Sequence, residues 1–379
     1  MDLTWVGPYK PVPDRSGADL RSYYLMRELK RRGASLDGYF MGSHGNDCDQ
    51  FLDQSTVRTN SAIGSIAGTL KRRFLSGIPL TVGRFFSSEI SQQLPQDQLI
   101  YVDHLHLTSN VLDRSEGYWL DEHNVESDLW EQYASLCYQP KRWFINREAA
   151  ALRTFETDVI RQSAGTGLPT SPDLSNLPQS ARQKISLIPN GVPQEWLDSG
   201  ERRLQDSLDT VTVFGFIGKY DWFPNKFGME KFLNDVWKPF YANHSETRLV
   251  LAGQSPPDSW RGVNGVTVRG YVESKADFFR SIDAFVIPLA LGSGTRLKAL
   301  EAAAKGIPLL STEKGVEGLS FDDLRTVDEI TDLRDLMIDI NNNPSRWDKS
   351  RRSVYRTIGE TYRWSTIGKK LWDRLESIA

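Results

Sequence analysis

Long apolar runs are missing from this 379-residue chain, and so is an excess of either charge. No uninterrupted apolar stretch approaches the roughly 18 residues that span a bilayer. The 46 Lys and Arg stand against 49 Asp and Glu, a formal net charge of -3, so no whole-molecule basic field gathers nucleic acid. Cysteine is scarce. Cys48 and Cys137 are too few for a disulfide framework and lack the C-x-x-C spacing of a zinc or redox site. The N-terminal stretch, with Asp2 early and a Gly7-Pro8 break, does not read as a signal peptide. A reduced, cytoplasmic setting is expected, with peripheral contact at the inner face of a membrane allowed by the basic clusters Lys30-Arg31-Arg32 and Lys71-Arg72-Arg73.

What is present is ordinary globular composition, 39% hydrophobic and 25% charged, at a length that suggests two domains. Leu3 to Val6 predicts a strand, Asp19 to Arg32 a helix stopped by Gly33, and Leu36 to Phe40 a second strand. Short apolar runs follow at Leu99 to Val102 and Tyr118 to Leu120, then helical patterns over Val125 to Cys137 and Arg142 to Gln162. Gly165 to Gln183 reads as loop, and Ile185 to Ile188 as a strand. Alternation restarts at Val211 and runs to Ser311, with helices expected near Gly228 to Tyr241 and over Thr295 to Lys305. Strands separated by helices mean parallel α/β sheets. The expected division is residues 1–200 and 201–361, with a last helix, about 362–379, returning to the first domain.

The stretch most informative about chemistry is Ile287 to Gly306. A strand enters a small-residue loop, Gly292-Ser293-Gly294, and the loop opens a helix. Free backbone N-H groups of Gly294, Thr295 and Arg296 at a helix start suit an anion. Arg296 and Lys298 offer charge for a diphosphate, and Glu301 an acceptor for ribose hydroxyls. A helix capped by Ser293 or Thr295 with exposed cations fits the same residues. Gly215-Phe216-Ile217-Gly218 and Gly292-Ser293-Gly294 both lack the third glycine of G-x-G-x-x-G, and no P-loop spacing occurs, so a dehydrogenase or ATPase is not supported.

Ile287 to Gly306, together with Ile188-Pro189-Asn190-Gly191-Val192, Phe216-Ile217-Gly218 and Leu249 to Gly253, resembles the family 4 glycosyltransferases. Pro13-Asp14-Arg15-Ser16-Gly17 with Arg21, Asp121 to Glu126, and the tail from Tyr362 to Ile378 also look like theirs. The resemblance implies a GT-B fold, two Rossmann-like domains facing each other across a cleft. It further implies retaining transfer of a sugar from a nucleotide-diphosphate sugar, uridine or guanosine based, without a cofactor or obligatory metal. The acceptor is a carbohydrate, a lipid-linked group or a small molecule. Donor contacts fall on Gly17, Lys219, Lys226, Ser293, Gly294, Thr295 and Glu301. The family's first glutamate is replaced by Ser293 here, and the usual arginine after the first C-terminal strand is missing, leaving Lys219, Lys226 and Arg296 to hold phosphates.

His104 resembles the family histidine beside the reacting sugar, and catalytic roles fall on His104, Arg296 and Lys298. On a strand, His104 and His106 would face opposite ways, so only one is expected to reach the cleft. His106, His123 and Glu126 are candidate acceptor contacts, although the His123 and Glu126 cluster could equally be a helix N-terminus with Asn124 as cap and Glu126 to Asp128 in the first turn. Trp130, Tyr133, Trp143 and Tyr220 to Phe223 suit core packing better than sugar stacking. Two alternatives compete: a metal-dependent hydrolase using His104, His106, Asp121 and His123, and a non-catalytic nucleotide-sugar-binding scaffold suggested by Ser293.

Overall fold

The computed structural model describes residues 1–13, 15–57, 66–112, 114, 117–292 and 296–379. The chain forms two compact units, Met1–Asn190 with Trp364–Ala379, and Gly191–Arg363. The division falls at 190/191 rather than near 200. The Gln194–Arg203 helix packs with the second unit, where Gly200 lies so close to the Ala304 carbonyl that a Cβ would sit 2.0 Å from its oxygen.

Among the described residues the first unit holds a seven-stranded parallel sheet: β1 (Asp2–Gly7), β2 (Ser35–Phe40), β3 (Gln54–Val57), β4 (Leu99–Asp103), β5 (Tyr118–Asp121), β6 (Gly165–Leu168) and β7 (Ile185–Leu187), in the order β3-β2-β1-β4-β5-β6-β7. From β1 the chain first winds one way and then, from β4, the other, so the topological switch lies between β1 and β4. The apolar strands form because their residues are buried on both faces, as parallel sheets require.

β6 is a correction to the expected loop. Its Gly-Thr-Gly-Leu sequence is unlike a strand by propensity, but the glycines make room for a neighbour. A Cβ on Gly165 would lie 2.8 Å from the Trp119 ring, and one on Gly167 2.9 Å from Asp121 Oδ1. β3, polar and half exposed, also escapes an apolar-run search.

The Gly17–Arg31 helix is capped by Ser16, whose Oγ accepts from Asp19 N-H. Its apolar face receives the tail helix Trp364–Glu376: the Tyr24 and Trp364 rings stack at 5.4 Å, Arg32 donates to the Ser365 carbonyl, and Gly368 lies against Glu28.

The second unit has six described parallel strands, β8 (Val213–Ile217), β9 (Arg248–Ala252), β10 (Val266–Gly270), β11 (Ala284–Ile287), β12 (Leu309–Thr312) and β13 (Thr326–Val327), in the order β10-β9-β8-β11-β12-β13. Its switch lies between β8 and β11. The helix expected from Gly228 begins earlier, as Phe223–Phe232, because Pro224 suits a first turn whose N-H groups have no intrahelical partner. It packs directly on backbone at Gly228.

Candidate functional site

In open parallel sheets, ligands bind beyond the carboxyl ends of the strands at the switch point. In the first unit that position holds a pocket of about 290 Å³. Loops after β1, β2, β4 and β5 supply Tyr9, His44, His104, His106 and His123, so four of the chain's five histidines line one cavity.

His104 follows β4 with a φ of 96°, a left-handed conformation that non-glycine residues rarely adopt. The next turn, Leu105–Asn110, is 3-10. Both His104 and His106 therefore face the pocket, their Nδ1 atoms 3.2 Å apart. The expectation that only one reaches it is corrected. Strand alternation does not apply, because neither residue lies on the strand.

His123 stacks on His104 at 4.4 Å between ring centres. Its Nε2 lies 2.8 Å from Asp103 Oδ1 and 3.5 Å from Asp121 Oδ2. Burial opposes the imidazolium, but the hydrogen bonds to these two carboxylates outweigh it and lift the His123 pKa to about 9. Burial next to this cation holds His104 well below its ordinary value. Burial, helped by Arg84 and His123, lowers His106 to about 4. At neutral pH one charged and two neutral imidazoles meet in the pocket. The neutral pair can exchange hydrogen bonds with hydroxyl groups, each ring offering one donor and one acceptor.

Arg21 anchors the base of this arrangement. Its guanidinium grips Asp121 through two bonds of 2.8 and 2.6 Å and donates to the Ile188 carbonyl and Asn190 Oδ1. Asp103 also accepts from Ser22 Oγ at 2.7 Å. Burial disfavours the Asp121 carboxylate, yet Arg21 and His123 hold its pKa far below the ordinary range. His44, stacked on Tyr9 and 3.0 Å from Asp19, completes another wall. Sequence reasoning missed His44, Asp19 and Asp103. The latter two belong to a signal that was available, polar residues just past strand ends or opening the first helix.

The Glu126–Ser135 helix is not capped by Asn124. Glu156, from the Lys141–Gln162 helix, accepts from the N-H groups of Glu126 and Ser127 and from Ser127 Oγ. A cap supplied from another helix has no local sequence signature. Burial raises Glu126 to about 7 and, against the capping bonds, Glu156 to about 8. Glu122, buried among the same acids, has neither oxygen hydrogen-bonded among the described residues. The metal quartet His104, His106, Asp121 and His123 separates into two clusters, His104-His106-Glu126 and Asp103-Asp121-His123. Gly17 opens its helix at an exposed position.

In the second unit the corresponding position lies past β8 and β11. Ser293, Gly294 and Thr295 fall outside the described residues, and Asp14 does as well. Arg296 is the N-cap of the Leu297–Ala304 helix and is 8% exposed. Its guanidinium donates to the Gly292 and Lys314 carbonyls at 2.8 and 3.0 Å and lies 3.5 Å from Glu317. It thus ties Gly292, whose φ of 113° needs a glycine, to the segment at Lys314.

Lys298 donates to Asn225 Oδ1 at 2.6 Å and lies over the Phe216 ring at 4.3 Å. Burial, reinforced by Arg296, lowers it to about 7. Glu301 is buried and paired with Lys275 at 2.8 Å. Lys275 and Asn225 were not anticipated, since each reaches the site from a separate element. Lys219 and Lys226 are exposed and paired to Asp221 and Glu230. The Lys219 carbonyl accepts from Asn225 Nδ2 and is so joined to the Lys298 group.

Residues 211–331, which contain this second cluster, match the family model described as Glycosyl transferases group 1. No curated protein matches the chain. Among solved structures it is similar to HepE of Anabaena in complex with UDP and glucose, at 12% identity and a TM-score of 0.67 with 100% of both chains covered. It is also similar to a TarM variant of S. aureus in complex with Fondaparinux, alpha-GlcNAc-glycerol and UDP, at 9% identity and 0.66 with 99% of each chain covered. A glycosyltransferase from Rickettsia africae aligns at 9% identity and 0.65, covering 100% of this chain and 98% of its own. The fold is the two-domain α/β fold of the GT-B glycosyltransferases.

Proposed function

We propose that this chain is a retaining glycosyltransferase of the family 4 type that moves a sugar from a nucleotide-diphosphate sugar to an acceptor hydroxyl. The observation that carries the proposal is the cluster of buried Arg296 and Glu301 with half-buried Lys298 and Lys275 at the switch point of the second unit, within the segment matching the glycosyltransferase model. UDP is the favoured nucleotide, because it accompanies HepE and TarM in their structures. The acceptor belongs to carbohydrate or glycolipid synthesis, and a cytoplasmic location suits a nucleotide-sugar donor.

The role of each group follows from its charge and setting. As the bond between the sugar C1 and the diphosphate breaks, negative charge grows on the leaving oxygens. Arg296, which is buried, and Lys298, held by Asn225, offset that charge. Glu301, oriented by Lys275, accepts from ribose hydroxyls. In the first unit, neutral His104 orients a sugar hydroxyl, and His106, His123 and Glu126 border the acceptor. Gly17, Lys219 and Lys226 remain proposed donor contacts.

Thermal unfolding with UDP, GDP and their sugars tests the assignment. A nucleotide at about 100 times its dissociation constant adds about 2.7 kcal/mol, and no shift with any of them overturns it. Arg296→Ala is expected to lose turnover roughly 100-fold while remaining folded; near-normal turnover would remove Arg296 from the catalytic groups. Metal-assisted hydrolysis is favoured by one observation, the His104-His106-Glu126 cluster. Stoichiometric zinc in purified protein, with activity lost to a chelator, would select it instead.

A further inference from the structure

The Ile66–Ser76 helix is inside out. Ala67, Leu70, Lys71 and Phe74 share its solvent face at helical spacing, with Phe74 82% and Leu75 74% exposed. Its inward side carries buried Thr69, and Arg72 lies over the Phe86 ring at 3.8 Å. An amphipathic helix packed on a protein core would present the opposite face.

A second patch lies where the Glu126–Ser135 helix turns into the Lys141–Gln162 helix. Tyr138 is 91% and Phe144 62% exposed, Trp143 is exposed beside them, and Arg147 stacks on Trp143. The two patches belong to one body of structure. The short helix Leu80–Gly83, which packs on the first patch's helix, donates from Thr81 N-H and Oγ1 to Glu148, one turn from Phe144.

Charge selects the partner. From Gln54 to Ser88, and again from Gln132 to Arg147, the chain has no Asp or Glu. Those stretches carry Arg58, Lys71, Arg72, Arg73 and Arg84, then Lys141, Arg142 and Arg147. A chain that is slightly acidic overall thus withholds acids from the segments that expose its aromatic and aliphatic side chains. Cations around aromatic and aliphatic tips suit an anionic lipid surface, where the apolar tips enter the acyl boundary and the cations meet headgroups. Tryptophan and tyrosine favour that depth.

We propose that these two patches of the first unit form a docking surface for an anionic bilayer. This inference stands apart from the transferase assignment and is read without assaying turnover. The test is sedimentation of the full chain with phosphatidylcholine vesicles, plain or containing about one-third phosphatidylglycerol. Binding is expected to the anionic vesicles only and to weaken with added salt. Phe74→Ser with Leu75→Ser, and separately Trp143→Ser with Phe144→Ser, should each weaken it roughly tenfold. Melting temperature should hold, because these side chains are solvent-exposed. Equal binding to neutral vesicles, no binding by the unaltered chain, or full binding by both variants would overturn the proposal. So would a dimer in sedimentation velocity that the Phe74 variant abolishes, since the surface would then serve a second copy.

Discussion

His123 Nε2 rests 2.8 Å from Asp103 Oδ1 at the carboxyl end of β4, and this contact keeps a buried imidazole charged. NMR titration should place the His123 midpoint near 9. Asp103→Asn should move it down toward the ordinary 6.5. An unchanged midpoint would mean that Asp121 alone holds the proton.

The same pair makes stability depend on pH. His123 keeps its proton to about 9 when folded, against an ordinary 6.5. The folded state therefore binds more protons in that window, and the stabilisation is complete below 6.5 and lost as pH rises through 9. The stability difference between the unaltered chain and Asp103→Asn should shrink over that range, by at most roughly 3 kcal/mol. Denaturant unfolding at several pH values measures it, and a difference that grows with pH would refute the linkage.

Arg21→Leu should cost about 3–5 kcal/mol, because it leaves the buried Asp121 carboxylate without its bidentate partner. Adding Asp121→Asn should recover part of the loss. Chemical denaturation of the single and double variants checks both statements.

Gly228→Ala should destabilise the second unit by at least about 2 kcal/mol and weaken nucleotide binding. The new Cβ would stand 1.9 Å from the Pro288 carbonyl oxygen, driving the Phe223–Phe232 helix off the segment that follows β11. Gly262→Ala, where nothing lies within 4 Å, is the control and should stay within about 0.5 kcal/mol.

Nucleotide binding should take up a proton. Lys298, lowered by burial to about 7, is largely neutral at higher pH, and a diphosphate beside it restores the charge. Affinity should therefore fall as pH rises above 7, by up to about tenfold per unit. Calorimetry in buffers of different ionisation enthalpy reads the uptake directly, and Lys298→Met should abolish it.

The alternation of strands and helices made the sheets legible, and Glu301 and Lys298 could be placed because strand, small-residue loop and helix lie in one continuous stretch. Other parts had no local signature. β6 looked like a loop because its glycines answer to Trp119 and Asp121, far away in sequence. His104 and His106 were separated by a strand rule that a left-handed residue at 104 suspends. Glu156 caps a helix thirty residues earlier in the chain, and Lys275 meets Glu301 only through the fold. Periodicity reports what a residue does for its own element; these residues serve another.

The tail helix Trp364–Glu376 belongs to the first unit, yet the whole of Gly191–Arg363 intervenes in sequence. On a ribosome the first sheet is therefore made before the second unit, and the helix that covers Tyr24 after it. Until that helix emerges, the nascent first unit carries an uncovered apolar strip along Gly17–Arg31. Its completion waits on synthesis of the entire second unit.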